Sequence, residues 1–174
     1  MKNRVEQLID EAAIQNKVKQ MAEAIRRDFG DEPLLLVAVL KGSYMFVSDL
    51  CRHLGSNVEV DFVQVSSYNG GTASSGNIQI RKDLDINIEG MNVVIVEDII
   101  DSGATLDHLL AIFRTRAPKS LKLAALLSKP DARRVHVPLD YIGFEIPNEF
   151  VVGYGLDLAE RYRNLTYIGI LRQD

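Results

Sequence analysis

Short, largely apolar runs alternate along this chain with longer stretches in which apolar residues recur at helical spacing. Leu34–Leu40, Val93–Val96 and Leu121–Leu127 are runs typical of strands that are buried on both faces of a parallel sheet. The stretches with helical spacing begin near Asp10, Tyr44 and Thr105. This alternation predicts an α/β fold with a mainly parallel central sheet flanked by helices.

The two ends of the chain predict a small hood over this sheet. Val5–Ile9 is ambiguous between strand and helix, Tyr141–Phe144 and Tyr167–Leu171 predict strands, and Leu158–Arg163 predicts one or two helical turns. We therefore expect one domain over residues 1–174, with a core of about 10–140 and a hood formed by about 1–9 and 141–174.

Composition narrows the function without identifying it. The chain has 174 residues, of which 47% are hydrophobic, and this composition argues against disorder. Its net charge of −4 gives no support to nucleic-acid binding. One cysteine, Cys51, cannot form an internal disulfide or a structural zinc site. Neither a signal peptide nor a membrane span is visible, so we expect a soluble cytoplasmic protein without a membrane partner.

Acidic and small hydroxylated residues follow the central strand. Glu97 and Asp98 come where the run Val93–Val96 ends, Asp101 follows two isoleucines, and Ser102–Thr105 leads into the next helix. Ligands of open α/β sheets bind beyond the carboxyl ends of strands, and a helix N-terminus there suits a phosphate. Carboxylates suit sugar hydroxyls, Mg²⁺ or a proton in transit. The alternative is a solvated acidic turn, which three acids beside a Ser-Gly-Ala-Thr turn disfavour.

Three further segments become informative beside this stretch. Lys41-Gly42-Ser43 and Lys129 also follow predicted strands, although each alone is more typical of an exposed turn or a solvent-facing side chain. Residues 66–76, between the strands Val58–Val65 and Ile78–Arg81, are rich in Gly and Ser and contain Tyr68 as the one large side chain. They predict a flexible hairpin tip or, if the reaction must exclude water, a mobile lid.

Together these motifs resemble the type I phosphoribosyltransferase family, and among its branches the bacterial hypoxanthine(-guanine) phosphoribosyltransferases. The resemblance covers nearly the whole chain. The central motif indicates the superfamily, and the block 143–163 is similar to the purine-binding hood of enzymes that use 6-oxopurines. The segments that carry the resemblance are Leu40–Ser43, Ser67-Tyr68, Val94–Gly103, Lys129 and Gly143–Arg163.

The resemblance implies purine salvage: transfer of a 5-phosphoribosyl group to N9 of hypoxanthine or guanine, with IMP or GMP and pyrophosphate as products. Asp101 is then the general base or hydrogen-bond partner at purine N7, and Mg²⁺ is held by Glu97, Asp98 and Asp157. Purine contacts are implied for Lys129, Phe150, Val151 and Asp157, and lid positions for Ser67 and Tyr68. Phosphoribosyl pyrophosphate contacts are implied for Lys41, Gly42, Glu97, Asp98, Asp101, Ser102, Gly103, Ala104, Thr105 and Arg163.

The family pattern implies further features. Relatives carry a cis peptide at the position of Leu40–Lys41, and they form homodimers or homotetramers. Ala104 replaces a lysine or arginine that some relatives have in the phosphate turn, which removes no backbone donor. Outside these motifs, Arg133 and Arg134 predict a solvated surface pair.

Two other functions stay open on the sequence. A nucleotide-sensing regulator that binds RNA on the same fold is disfavoured by the acidic balance and by the retention of Asp101. Transfer to a pyrimidine is disfavoured by Lys129 and Phe150.

Overall fold

The computed structural model describes residues 3–67 and 78–173. In these two ranges it contains nine strands, three α-helices and one short 3₁₀ turn at Pro130–Ala132. The elements are, in chain order, β1 (Asn3–Ile9), α1 (Glu11–Phe29), β2 (Leu34–Leu40), α2 (Tyr44–Arg52), β3 (Val58–Ser67), β4 (Ile78–Lys82), β5 (Asn92–Ile100), α3 (Ala104–Arg114), β6 (Ser120–Ser128), β7 (Tyr141–Glu145), β8 (Val151–Val152) and β9 (Ile168–Gln173).

Six strands form the main sheet in the order β4-β3-β2-β5-β6-β7. All neighbouring pairs are parallel except β3 and β4, which are antiparallel. This arrangement confirms the predicted α/β fold with a mainly parallel sheet. Helices cover both faces, because β2 sends Leu34, Leu36 and Ala38 into one core, beside α1 and α2, and the alternate residues into the other, beside α3.

The spacing of apolar residues and a capping carboxylate explain why α1 forms and where it begins. Ile14, Val18, Met21, Ala22 and Ile25 form the buried stripe that the spacing predicts. The carboxylate of Asp10 accepts a hydrogen bond from the Ala13 amide at 2.7 Å, so it caps the helix as expected.

A second sheet of three antiparallel strands, in the order β1-β9-β8, forms the hood. The ambiguous segment at the N-terminus is therefore a strand, stabilised by pairs such as Val5 with Leu171. The strand β7 instead belongs to the main sheet, although the sequence predicts the hood from residue 141 onward. Tyr141 pairs with Ala124 of β6, is 6% exposed, and donates a hydrogen bond from its hydroxyl to Asp28 of α1 at 2.5 Å.

Three predicted boundaries are wrong. Strand β5 continues through Glu97 and Asp98 to Ile100 because its pairing with β6 persists to that point. Helix α2 ends at Arg52, whereas the helical spacing of the sequence and the stop signal at Gly55 predict an end at Leu54. Residues 158–163 form turns with left-handed backbone at Ala159, Glu160 and Tyr162 rather than helix. No helix in the described ranges is long and apolar enough to cross a membrane.

Candidate active site

Two adjoining cavities lie at the carboxyl ends of the parallel strands. One, of about 220 Å³, is bordered by Asp98, Asp101, Lys129, Phe150, Val151 and Asp157. The other, of about 200 Å³, is bordered by Glu97, Asp101, Ser102, Gly103 and Thr105. Ile99 and Asp101 line both, so the predicted base-binding and phosphate-binding residues meet at one place. Another cavity, of about 160 Å³ beside Leu34 and Val58, brings none of the predicted site residues together.

The turn before α3 borders the second cavity. Gly103 has φ +85°, and a Cβ there would lie 2.8 Å from the Val135 carbonyl oxygen, so both the left-handed backbone and the close approach require glycine. The Ser102 carbonyl accepts hydrogen bonds from the Arg134 and Val135 amides, both at 3.0 Å. Because α3 begins at Ala104, its first amides and the positive end of its dipole lie beside this cavity, where they suit an anion.

Asp101 and Lys129 form an ion pair between neighbouring strand ends. Their positions follow from the parallel pairing of β5 and β6, which ends with Ile100 opposite Ser128. The Lys129 Nζ lies 3.0 Å from Asp101 Oδ1. The lysine side chain is only 9% exposed, whereas that of Asp101 is 56% exposed. A buried cation thus orients a carboxylate that remains accessible to a ligand.

Glu97 and Asp98 lie within β5, just before the end of the strand. Glu97 Oε2 is inaccessible and has no hydrogen-bond partner among the described residues. Burial, and the neighbouring Asp98 carboxylate, raise the pKa of Glu97 well above its usual range. Burial also raises the pKa of Asp98, whose Oδ1 accepts a hydrogen bond from the Ile99 amide at 2.7 Å. The positive charge of Arg163 offsets this effect in part at Asp98.

The carboxyl pair fits a hard divalent cation, because two carboxylates can hold Mg²⁺ when water and substrate oxygens complete the shell. A closed protein cage is not preformed: within 3–67 and 78–173, no group of three His, Cys, Asp or Glu side chains is arranged for a metal. Asp157 makes other contacts. Its Oδ1 lies 2.9 Å from Arg163 Nη2, and its Oδ2 accepts a hydrogen bond from the Glu160 amide at 2.8 Å.

The loop after β2 packs tightly against these acids and against the hood. The Leu40–Lys41 peptide is cis, as the family pattern implies. A Cβ on Gly42 would lie 1.6 Å from Asp98 Oδ2, and a Cβ on Gly155 would lie 2.0 Å from the Gly42 carbonyl oxygen. Glycine at both positions therefore lets the loop, the strand end and the hood approach one another closely.

Charged side chains of the hood face the same loop. Lys41 Nζ lies 3.1 Å from Glu160 Oε1, and both side chains are exposed. The guanidinium of Arg163 donates to the Gly155 carbonyl at 2.7 Å and pairs with Asp157 and Glu160. Glu160 contacts both cations. Although it lies in the block 143–163, the sequence gives no signal for these contacts because Glu160 follows no strand.

The hood also presents an aromatic surface. Phe150 is 51% exposed at the first cavity, whereas the adjacent Val151 is 5% exposed and pairs with Ile170 in the hood sheet. Tyr154 is buried, and its hydroxyl donates to Asp49 Oδ2 at 2.6 Å. Burial and the hydrogen bond to Asp49 raise the pKa of the Tyr154 phenol. Sequence reasoning missed this contact between hood and α2, although a large aromatic residue between two glycines was a usable signal.

The predicted lid and the predicted surface arginine Arg133 remain to be compared with the structure. Ser67 ends β3, whereas Tyr68 and the rest of the predicted lid lie outside the described residues. Arg133 is not the solvated surface residue that the sequence predicts. It is half-buried and donates to the Asp101 carbonyl and to Ser128 Oγ, because the 3₁₀ turn at Pro130–Ala132 directs the chain back across the strand ends.

Comparison with known proteins shows which family the sequence and the fold resemble. The model of the phosphoribosyl transferase domain family matches residues 4–159. The hypoxanthine-guanine phosphoribosyltransferase of Bacillus subtilis is 49% identical over 173 residues, which are 99% of this chain and 96% of that protein. The crystal structure of a hypoxanthine-guanine phosphoribosyltransferase from Bacillus anthracis has a TM-score of 0.93 at 46% identity, covering 99% of this chain and 100% of that one. A hypoxanthine phosphoribosyltransferase from Staphylococcus aureus has a TM-score of 0.92 at 46% identity, covering 96% and 91%.

Proposed function

The chain belongs to the phosphoribosyl transferase family, and on that premise we propose that it is a purine-salvage enzyme. It transfers the 5-phosphoribosyl group of phosphoribosyl pyrophosphate to N9 of hypoxanthine or guanine, giving IMP or GMP and pyrophosphate. The observation that carries this proposal is the meeting, around two adjoining cavities, of an anion-binding turn, the Asp101–Lys129 pair and the exposed ring of Phe150. The relatives compared above are transferases, and nothing in them supports the RNA-binding alternative.

Each part of the substrate has a matching surface. The 5′-phosphate binds the amides and hydroxyls of Ser102–Thr105 at the start of α3. The purine lies in the first cavity with its face on Phe150, while the buried ammonium of Lys129 donates a hydrogen bond to the exocyclic O6. Asp157 and the Val151 backbone border the opposite edge of the base.

The chemical step develops cationic character on the ribose and negative charge on the departing pyrophosphate. Asp101 accepts the purine proton, or holds it by a hydrogen bond at N7, so that N9 can attack C1′. The Lys129 ammonium, 3.0 Å from this carboxylate, holds Asp101 in the orientation for proton transfer before the substrate reacts. Lys41 belongs to the loop that contains Gly42, and its exposed ammonium group is available to the pyrophosphate oxygens.

Glu97 and Asp98 would hold Mg²⁺, because Glu97 has a buried oxygen without a partner among the described residues and burial disfavours the charged form of both carboxyls. When bound, the ion supplies positive charge beside the pyrophosphate oxygens. Closure of a lid that includes Ser67 and Tyr68 is expected to keep water away from the ribose cation. We also expect the chain to assemble into a homodimer or homotetramer.

The test is product formation by the purified protein. With phosphoribosyl pyrophosphate, MgCl₂ and hypoxanthine, we expect IMP and pyrophosphate in equal amounts, and we expect no product when EDTA removes the metal. Asp101→Asn should lower kcat by about 10²–10⁴-fold, the usual contribution of a general base, while hypoxanthine binding changes little. Asp131→Asn is the matched control, since Asp131 is an exposed carboxylate close in sequence to Lys129. Absence of nucleotide product from hypoxanthine, guanine and xanthine alike would overturn the assignment.

A further inference from the structure

We propose that Arg133 is a positioning residue for the transfer reaction. Its guanidinium joins the ends of β5 and β6 and thereby holds Asp101 and Lys129 so that they face the same point of the substrate. The inference rests on the proposed function, because it concerns how the pair that handles the purine is held in place. No motif of the sequence suggests this role, and the pattern of two adjacent arginines predicts the opposite.

One planar group contacts both strand ends. Arg133 Nε donates to the Asp101 carbonyl at 3.2 Å, and Nη2 donates to Ser128 Oγ at 2.9 Å. Ser128 is 3% exposed, ends β6 and directly precedes Lys129. The guanidinium therefore bridges the backbone of one member of the pair and the immediate neighbour of the other. Its donors sit in a rigid fork, which a flexible ammonium group cannot reproduce.

The same segment also holds the phosphate turn. The amides of Arg134 and Val135 donate to the Ser102 carbonyl, and a Cβ on Gly103 would lie 3.2 Å from Arg133 Cδ. The arginine stem thus packs over the glycine that opens α3. Because the Asp101 side chain is 56% exposed, packing alone does not fix it, and its carboxylate is placed by the ion pair with Lys129 together with the anchoring of its backbone.

Arg134 provides a matched control. It carries the same charge one residue later, its side chain is exposed, and it contributes to the turn through its backbone amide, which any non-proline residue retains. A difference between the two positions therefore reports the guanidinium bridge rather than the loss of a positive charge near the site.

The experiment compares Arg133→Met with Arg134→Met in the transferase assay. For Arg133→Met we expect kcat to fall by about ten- to a hundredfold, the loss typical of a misplacement of about 1 Å, with both KM values within about threefold of wild type. For Arg134→Met we expect both parameters within about twofold of wild type. Arg133→Lys should remain impaired because it retains the charge and loses the fork. Millimolar guanidinium should restore part of the kcat of Arg133→Gly and should not increase that of Arg134→Gly.

Several results would overturn the inference. Equal kinetics for Arg133→Met and Arg134→Met would do so, as would a loss confined to the KM for phosphoribosyl pyrophosphate, since that indicates general attraction of the anion. If Arg133→Met does not fold, as judged by its thermal transition, Ser128→Ala removes only the Nη2 acceptor and should lower kcat several-fold. Unchanged kcat in Ser128→Ala and Arg133→Lys together refutes the bridge. A wild-type protein that makes no nucleotide instead refutes the proposed function itself.

Discussion

Substituting alanine for Gly42 tests the close packing on which the site depends. A Cβ at this position would lie 1.6 Å from Asp98 Oδ2 and 2.5 Å from Asp98 Cγ. The carboxylate must therefore leave its place, even though it is the mobile end of a side chain. It cannot move freely, because Asp98 Oδ1 also accepts a hydrogen bond from the Ile99 amide at 2.7 Å. The Gly42 carbonyl has no space either, since it already touches the backbone of Gly155.

The expected change in the free energy of unfolding is the sum of three contributions. Overpacking of a filled site costs about 1–3 kcal/mol, and loss of the Asp98–Ile99 hydrogen bond adds about 1 kcal/mol. Reduced freedom of the unfolded chain returns roughly 0.4–1 kcal/mol when alanine replaces glycine. We therefore expect Gly42→Ala to lower the free energy of unfolding by about 1–3 kcal/mol. We also expect kcat/KM for phosphoribosyl pyrophosphate to fall more than tenfold, because the displaced carboxylate belongs to the proposed Mg²⁺ site.

Urea unfolding and steady-state kinetics measure the two effects. Gly55→Ala is the matched control: Gly55 is exposed, and a Cβ there would have no atom within 4 Å. It should be neutral or slightly stabilising, with unchanged kinetics. The reasoning fails if Gly42→Ala unfolds at the same urea concentration as Gly55→Ala and retains wild-type kcat/KM.

The other predictions concern single side chains. The pKa of Glu97 is higher in the folded than in the unfolded chain, so the folded protein binds the extra proton and its free energy of unfolding should fall as pH rises above about 4.5. Urea titrations from pH 4 to 8 should show that Glu97→Gln flattens this decline. In thermal unfolding, Mg²⁺ should raise the midpoint of wild type more than that of the variant. Tyr154→Phe removes the 2.6 Å hydrogen bond to Asp49 and should lower the free energy of unfolding by about 1–3 kcal/mol, whereas Tyr44→Phe, at an exposed ring, should change it by less than about 0.5 kcal/mol. Phe150→Ala should raise the KM for hypoxanthine about tenfold, as expected from the roughly 1–3 kcal/mol of base stacking, with little change in stability because the ring is 51% exposed; an unaltered KM contradicts stacking.

The fold was largely predictable because its strands are buried on both faces. Continuous apolar runs such as Leu34–Leu40 have few alternatives, and β2 occupies that very range. The end of β5 was not predictable in the same way. Glu97 and Asp98 resemble loop residues by composition, but pairing with β6 keeps them in the strand, and tertiary pairing overrides local preference.

The site was predictable where residues follow strands. Parallel strands bring their carboxyl ends to one edge, so Asp101 and Lys129, 28 positions apart in the chain, meet at 3.0 Å. Residues whose contribution depends on a turn were missed. Arg133 reaches the strand ends only because a 3₁₀ turn reverses the chain, and Glu160 reaches Lys41 only through left-handed backbone that no local pattern specifies.

The ion pairs of the site explain how a chain of net charge −4 can accept a substrate rich in phosphate. Lys41 and Glu160 are 54% and 63% exposed, so their pair is weakly stabilising and an incoming phosphate oxygen can replace the carboxylate. Arg163 differs, because its side chain is 17% exposed and is already held by Asp157 and the Gly155 carbonyl. Breaking those contacts would leave the buried Gly155 carbonyl without this donor and the Asp157 carboxylate, 29% exposed, without its positive partner. We therefore propose that pyrophosphate reaches Lys41 first, and that Arg163, for which the family pattern also implies a contact with phosphoribosyl pyrophosphate, braces the hood over the site.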